Sequence, residues 1–398
     1  MRGLVVAVML GCVAVAGAEK KPAVPAITRV GVVTRVFHPA VRRNWREAEH
    51  KELDCTVWYP AVDTAVEVKQ EIGPPEAPLF EAGMAAPHAA MAPSMDGCPL
   101  VLLSHGSGGS AEQMAWLGTA LARAGYIAVA VNHPGNNSHE TYTAAGFVLW
   151  WERATDESEV LDGMLADEEF GPHIDKDHVA AAGFSIGGYT VLALAGAETD
   201  ISAFTDLCEE RAAAPVTIAD SAGNASPAEK AAVIAARQPH LDMSTAVCHT
   251  KEAEKLGDVR HVLATARKTS GESLARSNES YKDARIKAVF AIAPGVGFTL
   301  TQESLHSIRI PVEMVTGTED RTVPAKENMD YVRSEIRGAR GTLIPGATHY
   351  TFLDTCTAEG KKELGIYCED PAGTDRDAVH AKVAGMAVGF FNRALRMR

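Results

Sequence analysis

HVAAAGFSIGGYTVLALAG, residues 178–196, is the stretch that decides the fold. Residues 179–182 are a short apolar run of the kind a buried strand uses, and the Ala/Leu-rich run 189–195 suits a helix. Between them Gly183, Phe184, Ser185, Ile186 and Gly187 form a Gly-x-Ser-x-Gly pentapeptide that occurs once in the chain. On a strand-to-helix turn this pattern lifts the serine hydroxyl above the sheet on strained backbone, and the two glycines let strand and helix pass closely. Ser185 is therefore a candidate nucleophile, set beside the positive end of a helix dipole.

A serine hydroxyl is a weak nucleophile at neutral pH, so it needs a base and a group that orients the base. Both follow in the order Ser, acid, His. Residues 311–317 (Pro-Val-Glu-Met-Val-Thr-Gly) read as a buried strand and run into Thr318-Glu319-Asp320, where the spacing favours Asp320 as the acid over its neighbour Glu319. Residues 341–349 give a short apolar strand, then a glycine turn that presents His349, the candidate base. Upstream, the strand-like residues 99–104 lead into His105-Gly106-Ser107-Gly108-Gly109, a glycine-rich loop whose main-chain amides can approach a substrate. The expected donors to a tetrahedral oxyanion are the backbone N–H groups of Ser107 and Ile186.

With these pieces the chain resembles the α/β-hydrolases, in particular the predicted dienelactone hydrolases and the related platelet-activating-factor acetylhydrolases. The resemblance rests on Val57-Trp58-Tyr59-Pro60, Ser104-His105-Gly106-Ser107-Gly108-Gly109, Asn132-His133-Pro134-Gly135-Asn136, Gly183 to Gly188, Gly317-Thr318-Glu319-Asp320 and Ala347 to Phe352. True dienelactone hydrolases carry a cysteine nucleophile where this chain has Ser185, and relatives often have Asp where it has Asn132. The resemblance implies a mostly parallel, doubly wound sheet with antiparallel N-terminal strands and a helical cap. It also implies a serine hydrolase acting on carboxylic esters through an acyl-enzyme, without metal or organic cofactor. Two alternatives stay open: a lipid esterase of the phospholipase A2 or platelet-activating-factor acetylhydrolase type, and a catalytically silent binding protein on a hydrolase fold.

Composition agrees. The chain has 398 residues, 46% of them hydrophobic, enough for one large decorated domain. A net charge of −13 disfavours nucleic acid and anionic membrane as partners; the substrate that the resemblance implies is a small-molecule or lipid ester. Residues 1–18 have the pattern of a signal peptide: Arg2, an apolar stretch too short to span a bilayer, then Ala16-Gly17-Ala18. Lipid attachment at Cys12 is the alternative; either way the mature protein, residues 19–398, is expected to be periplasmic or extracellular and without a transmembrane segment. Export would place Cys55, Cys98, Cys208, Cys248, Cys356 and Cys368 in an oxidising compartment. The expected pairs are Cys55 with Cys98, Cys208 with Cys248, and Cys356 with Cys368, the alternative being buried thiols.

Strands are expected near residues 27–37, 53–59, 99–104, 126–131 and 286–294, and helices at 111–124 and 156–166. The Pro- and Ala-rich residues 73–97 show no periodicity and read as a surface excursion. Residues 199–285 read as a polar, Ala-rich cap insertion. His105 is expected to pack or hydrogen-bond the loop rather than carry protons, His133 and His139 to have a surface or structural role with a place in the pocket lining as the alternative, and Trp116, Trp150 and Trp151 to be packing residues.

Overall fold

The computed structural model describes residues 29–39, 43, 45–93, 95, 97–208, 248, 256–257 and 259–395. The expected signal peptide with Cys12 lies outside them, as do residues 209–247 and 249–255 of the expected cap. The described strands are β1 (Arg29–Phe37), β2 (Leu53–Ala61), β3 (Val68–Ile72), β4 (Phe80–Pro87), β5 (Cys98–Ser104), β6 (Ile127–Val131), β7 (Ile174–Phe184), β8 (Ile286–Ile292), β9 (Val312–Gly317), β10 (Arg340–Ile344) and β11 (Thr355–Cys356). They form one sheet in the order β10-β9-β8-β7-β5-β6-β2-β1-β4-β11, with β3 on β4. From β6 to β10 every pairing is parallel, and β2 runs antiparallel to both β6 and β1.

Side-chain alternation explains why the sheet is covered on both faces. Leu100 and Leu102 of β5 enter one core with Ile127, Val129 and Val131 of β6, while Val101 and Leu103 enter the other with Ala128 and Ala130. The first core is capped by α2 (Ala144–Val148), α3 (Glu152–Ala166) and α4 (Ile186–Ala195), the second by α1 (Ala115–Arg123) and the helix Arg376–Ala394. No described helix is long and apolar enough to cross a membrane.

Topology places the site. The chain leaves β5 for β6 on one side and later returns to β7 on the other, so the connections diverge above the carboxyl ends of β5 and β7. Ser104 pairs with Gly183, which sets those ends level. A crevice at such a switch point is where open parallel sheets bind ligands.

Two expectations are corrected. Residues 73–97 are not a surface excursion, because β4 lies within them and pairs with β1, β3 and β11. Its sequence, Phe-Glu-Ala-Gly-Met-Ala-Ala-Pro, has little intrinsic strand preference, and pairing with three other strands along its two edges overrides it. Cys55 and Cys98 are not bridged; both are buried thiols. Cys55 is level with Val131, and Val131 with Ser104, so β6 separates the two cysteine strands. Cys98 lies a further six residues down β5 from Ser104. That is about 20 Å along the strand plus about 10 Å across it, far beyond the roughly 7 Å that a disulfide tolerates. The other two expected pairs, Cys208–Cys248 and Cys356–Cys368, are disulfides.

Candidate active site

Ser185 stands between the last residue of β7 and the first of α4, at φ 57° and ψ −119°. A non-glycine residue in that region is strained, and the neighbouring packing enforces it. A Cβ on Gly183 would lie 2.1 Å from the Gly187 carbonyl oxygen, and one on Gly187 2.0 Å from the Ser104 carbonyl oxygen. The Ser185 N–H donates to Ile292 O at 2.9 Å, and the Ser185 carbonyl accepts from Gly188 and Gly295. The turn is thus pinned from β5, β8 and α4 together, which leaves its side chain pointing out of the sheet.

His349 arrives on the turn after β10. Its Nε2 is 3.0 Å from Ser185 Oγ, and its Nδ1 is 2.8 Å from Asp320 Oδ2. Asp320 Oδ1 in turn accepts the Val323 N–H at 2.7 Å. A carboxylate only accepts, so the neutral ring carries its proton on Nδ1, donates to Asp320, and turns the Nε2 lone pair to the Ser185 hydroxyl. His349 is 4% exposed and Asp320 6%, so water does not compete strongly for this line. The Phe184 ring, 4.9 Å away between centroids, packs against the imidazole. Glu319, the neighbouring acid, is exposed, its backbone N–H donates to Ala347 O and its carboxylate lies beside Thr318 Oγ1.

The glycine-rich loop after β5 is held nearly residue by residue. The Gly109 N–H donates to Gly106 O, Gly108 N–H to Asn136 Oδ1 at 2.5 Å, Tyr142 Oη to Gly108 O, Ser138 N–H to Gly109 O, and Ala111 N–H to Asn132 Oδ1 at 2.7 Å. Asn132 therefore ties the loop to the end of β6. Among the described residues, neither the Ser107 amide nor the Ile186 amide, at the start of α4, meets an acceptor. The loop approaches the elbow closely, since a Cβ on Gly106 would lie 3.4 Å from that of Ser185. The unengaged Ser107 amide thus follows directly on the loop residue nearest the elbow, and the Ile186 amide directly on Ser185.

Behind the loop lies a buried polar layer that motif reading passed over. Ser104 Oγ is 2.8 Å from His133 Nε2, and His133 Nδ1 is 2.9 Å from Asp156 Oδ2. Asp156 also accepts from Arg46 at 2.7 Å and Arg43 at 2.8 Å, and Arg153 donates to the His105 carbonyl. Burial by itself would raise the Asp156 carboxyl, but Arg46, His133 and Arg43 hold it well below the usual carboxylate range. Burial, helped by the Arg153 cation, pushes His133 down to about 3. Glu157 goes the other way: burial pushes it up to about 8. A signal for this layer was present, because Arg153, Asp156 and Glu157 share a helical face with Val160, Leu161 and Met164.

The remaining residues fall as their surroundings dictate. His105 is fully buried and donates from Nδ1 to Gly106 O, and His139 sits half-exposed against Glu112. Trp116 donates to the Phe352 carbonyl and stacks on His380, bracing the segment just after His349. Trp150 and Trp151 are buried, and Trp151 Nε1 donates to Ser273 Oγ in the insertion.

Residues 100–359 match the model of a family described as the alpha/beta hydrolase family. Among solved structures, a ferulic acid esterase from Streptomyces cinnamoneus superposes with a TM-score of 0.57 at 18% identity, over 95% of this chain and 93% of that one. That likeness is one of fold. No curated protein sequence matches the chain.

Proposed function

Since the chain belongs to the alpha/beta hydrolase family, we propose that it is a serine hydrolase that cleaves carboxylic esters by way of an acyl-enzyme. The Ser185 hydroxyl attacks the ester carbonyl carbon while its proton passes to His349 Nε2, and Asp320 stabilises the resulting imidazolium. The carbonyl oxygen becomes an oxyanion, received by the Ser107 and Ile186 N–H groups; losing one such donor typically costs about 10² to 10³ in turnover. As the tetrahedral species collapses, the C–O bond to the leaving alcohol breaks and His349 returns the proton to that oxygen. Water, deprotonated by the same imidazole, then attacks the acyl carbon, releases the acid and restores Ser185.

The observation that carries this reading is the continuous line from Ser185 Oγ through the two ring nitrogens of His349 to Asp320, at 3.0 Å and 2.8 Å. Fold alone would not carry it, because alpha/beta folds host many chemistries. A silent binding protein has no use for a strained nucleophile turn facing a base of fixed tautomer. We also read the protein as exported, on the leader pattern of residues 1–18 and the disulfides Cys208–Cys248 and Cys356–Cys368. The 199–285 insertion is read as a cap, supported by its Ser273 and Arg276 contacts with Trp151 and Glu152.

The test is hydrolysis of p-nitrophenyl esters of rising acyl length by the protein and by Ser185→Ala. Turnover that disappears in the variant supports the mechanism, and its dependence on chain length measures the acyl pocket. Turnover surviving in Ser185→Ala contradicts it, and no turnover by either protein returns the reading to a binding function.

A further inference from the structure

We propose that the buried line Ser104–His133–Asp156 is a positioning device that sets the Ser107 amide for the developing oxyanion. This rests on the reading of Ser107 as an oxyanion donor given above. The line repeats the Ser-His-Asp order of the proposed catalytic residues, but Ser104, His133 and Asp156 are all 0% exposed, so no substrate reaches it. It is also poorly explained as a source of stability. Buried polar and ionic clusters of this kind are commonly no more stabilising than packed apolar side chains of the same volume.

What the line does follows from protonation and connectivity. Arg46 and Arg43 bind the two oxygens of Asp156, so the carboxylate is fixed and ionised. His133 is neutral, donates from Nδ1 to Asp156 and offers Nε2 to the Ser104 hydroxyl. Its backbone N–H donates at 3.2 Å to His105 Nε2, whose other ring nitrogen donates at 2.6 Å to Gly106 O. Arg153 donates to the His105 carbonyl. Ser104, His105 and Gly106 are therefore each tied to the 132–136 loop or to α3, directly or through the His105 ring, and the next residue carries the unengaged amide.

An oxyanion donor acts only if it stands about 2.7–3.1 Å from the oxygen in the transition state, and a misplacement of about 1 Å can cost about 10² in rate. Ser104 is two hydrogen bonds from Asp156 and three residues from Ser107, so loosening either end displaces the donor, while the Ser185 turn keeps its own hydrogen bonds to Ile292, Gly188 and Gly295 and His349 keeps Asp320. Removing the Ser104 hydroxyl leaves the His133 ring a substitute partner in Glu157, 3.6 Å from Nε2, while the strand end keeps its pairing with Val131 and Gly183 but loses its side-chain tether to the 132–136 loop.

The experiment compares Ser104→Ala and Asp156→Asn with the parent protein. Active sites are counted by the endpoint burst with diethyl p-nitrophenyl phosphate, so misfolded molecules are excluded. Then kcat per titrated site, KM for p-nitrophenyl acetate and Ki for an alkyl trifluoromethyl ketone, which forms a tetrahedral oxyanion on the serine, are measured. The expected result is a fall of about 10- to 100-fold in kcat per titrated site, KM within about twofold, and Ki raised by the same factor as kcat falls. A purely structural role would lower the titrated fraction and leave kcat per site unchanged; that result, or a rise in KM at unchanged kcat, overturns the proposal. Should Asp156→Asn not fold, Ser104→Ala decides alone, because it removes one atom from a fully packed site. A parent protein that takes no organophosphate defeats the reading of Ser185 instead, and the two failures are told apart by the burst.

Discussion

Replacing Asp320 by Asn should be among the most damaging single-atom changes the protein can suffer, and the structure says why. Asp320 Oδ1 accepts the Val323 N–H at 2.7 Å, so an asparagine keeps its carbonyl oxygen there and turns its NH2 toward His349 Nδ1. Two donors cannot face each other, so the ring shifts its proton to Nε2, where it points at Ser185 Oγ 3.0 Å away. The base then has no lone pair for the nucleophile. A tautomer inversion of this kind costs about 10⁴ in kcat in a Ser-His-Asp triad, which is about 5.4 kcal/mol at 1.36 kcal/mol per decade. The assay is kcat on p-nitrophenyl acetate at pH 7.5, with circular dichroism to show that the variant folds. Glu319→Gln is the control, expected to stay near the parent rate because its carboxylate is exposed and off the line. A loss of less than about tenfold in Asp320→Asn, or an equal loss in Glu319→Gln, would show that Asp320 does not set the His349 tautomer.

Glu157 is held protonated by burial to about pH 8, against an ordinary value of 4.5. Between those values the folded protein binds one more proton at this site than the unfolded chain does, so this site's contribution to stability falls as pH rises. Glu157→Gln should therefore raise the Tm at pH 8 and lose that advantage below about pH 4.5; a variant that melts lower than the parent at pH 8 would mean the carboxylate is paired. Cys356→Ser opens a loop of 12 residues and should cost about 3 kcal/mol in urea unfolding, whereas an unchanged midpoint would show that Arg376, bound to Tyr367 O, Asp354 O and Asp370, holds the loop alone. Protein lacking residues 1–18 should react with Ellman's reagent at two thiols, Cys55 and Cys98, once unfolded without reductant, and at neither when native. An unfolded chain with no reactive thiol would contradict the strand order.

The parts of the fold legible in the sequence are those fixed by neighbours along the chain. Gly183, Ser185 and Gly187 announce a turn because close backbone approach and positive φ are local demands. The Ser104 to Gly109 loop and the turn before His349 are legible for the same reason, and Cys356–Cys368 because only a short loop separates the pair. What was not legible depends on strand order. Cys55 and Cys98 look like partners until β6 is seen between their strands, and the Ala- and Gly-rich β4 has no pattern of its own until β1, β3 and β11 pair with it. Arg153, Asp156 and Glu157 share a face with Val160, Leu161 and Met164, which marks them as buried but not what they bind. Their meaning comes from His105, His133, Arg43 and Arg46, which reach them from distant parts of the chain.

In the proposed mechanism Ser185 is the one nucleophile, activated by His349. That role is tested most directly by treating the protein with a fluorophosphonate and locating the adduct by peptide mass spectrometry. A single adduct is expected on Ser185, abolished in Ser185→Ala and strongly slowed in His349→Ala. Labelling of a different serine, or labelling of Ser185 at an undiminished rate in His349→Ala, would contradict it.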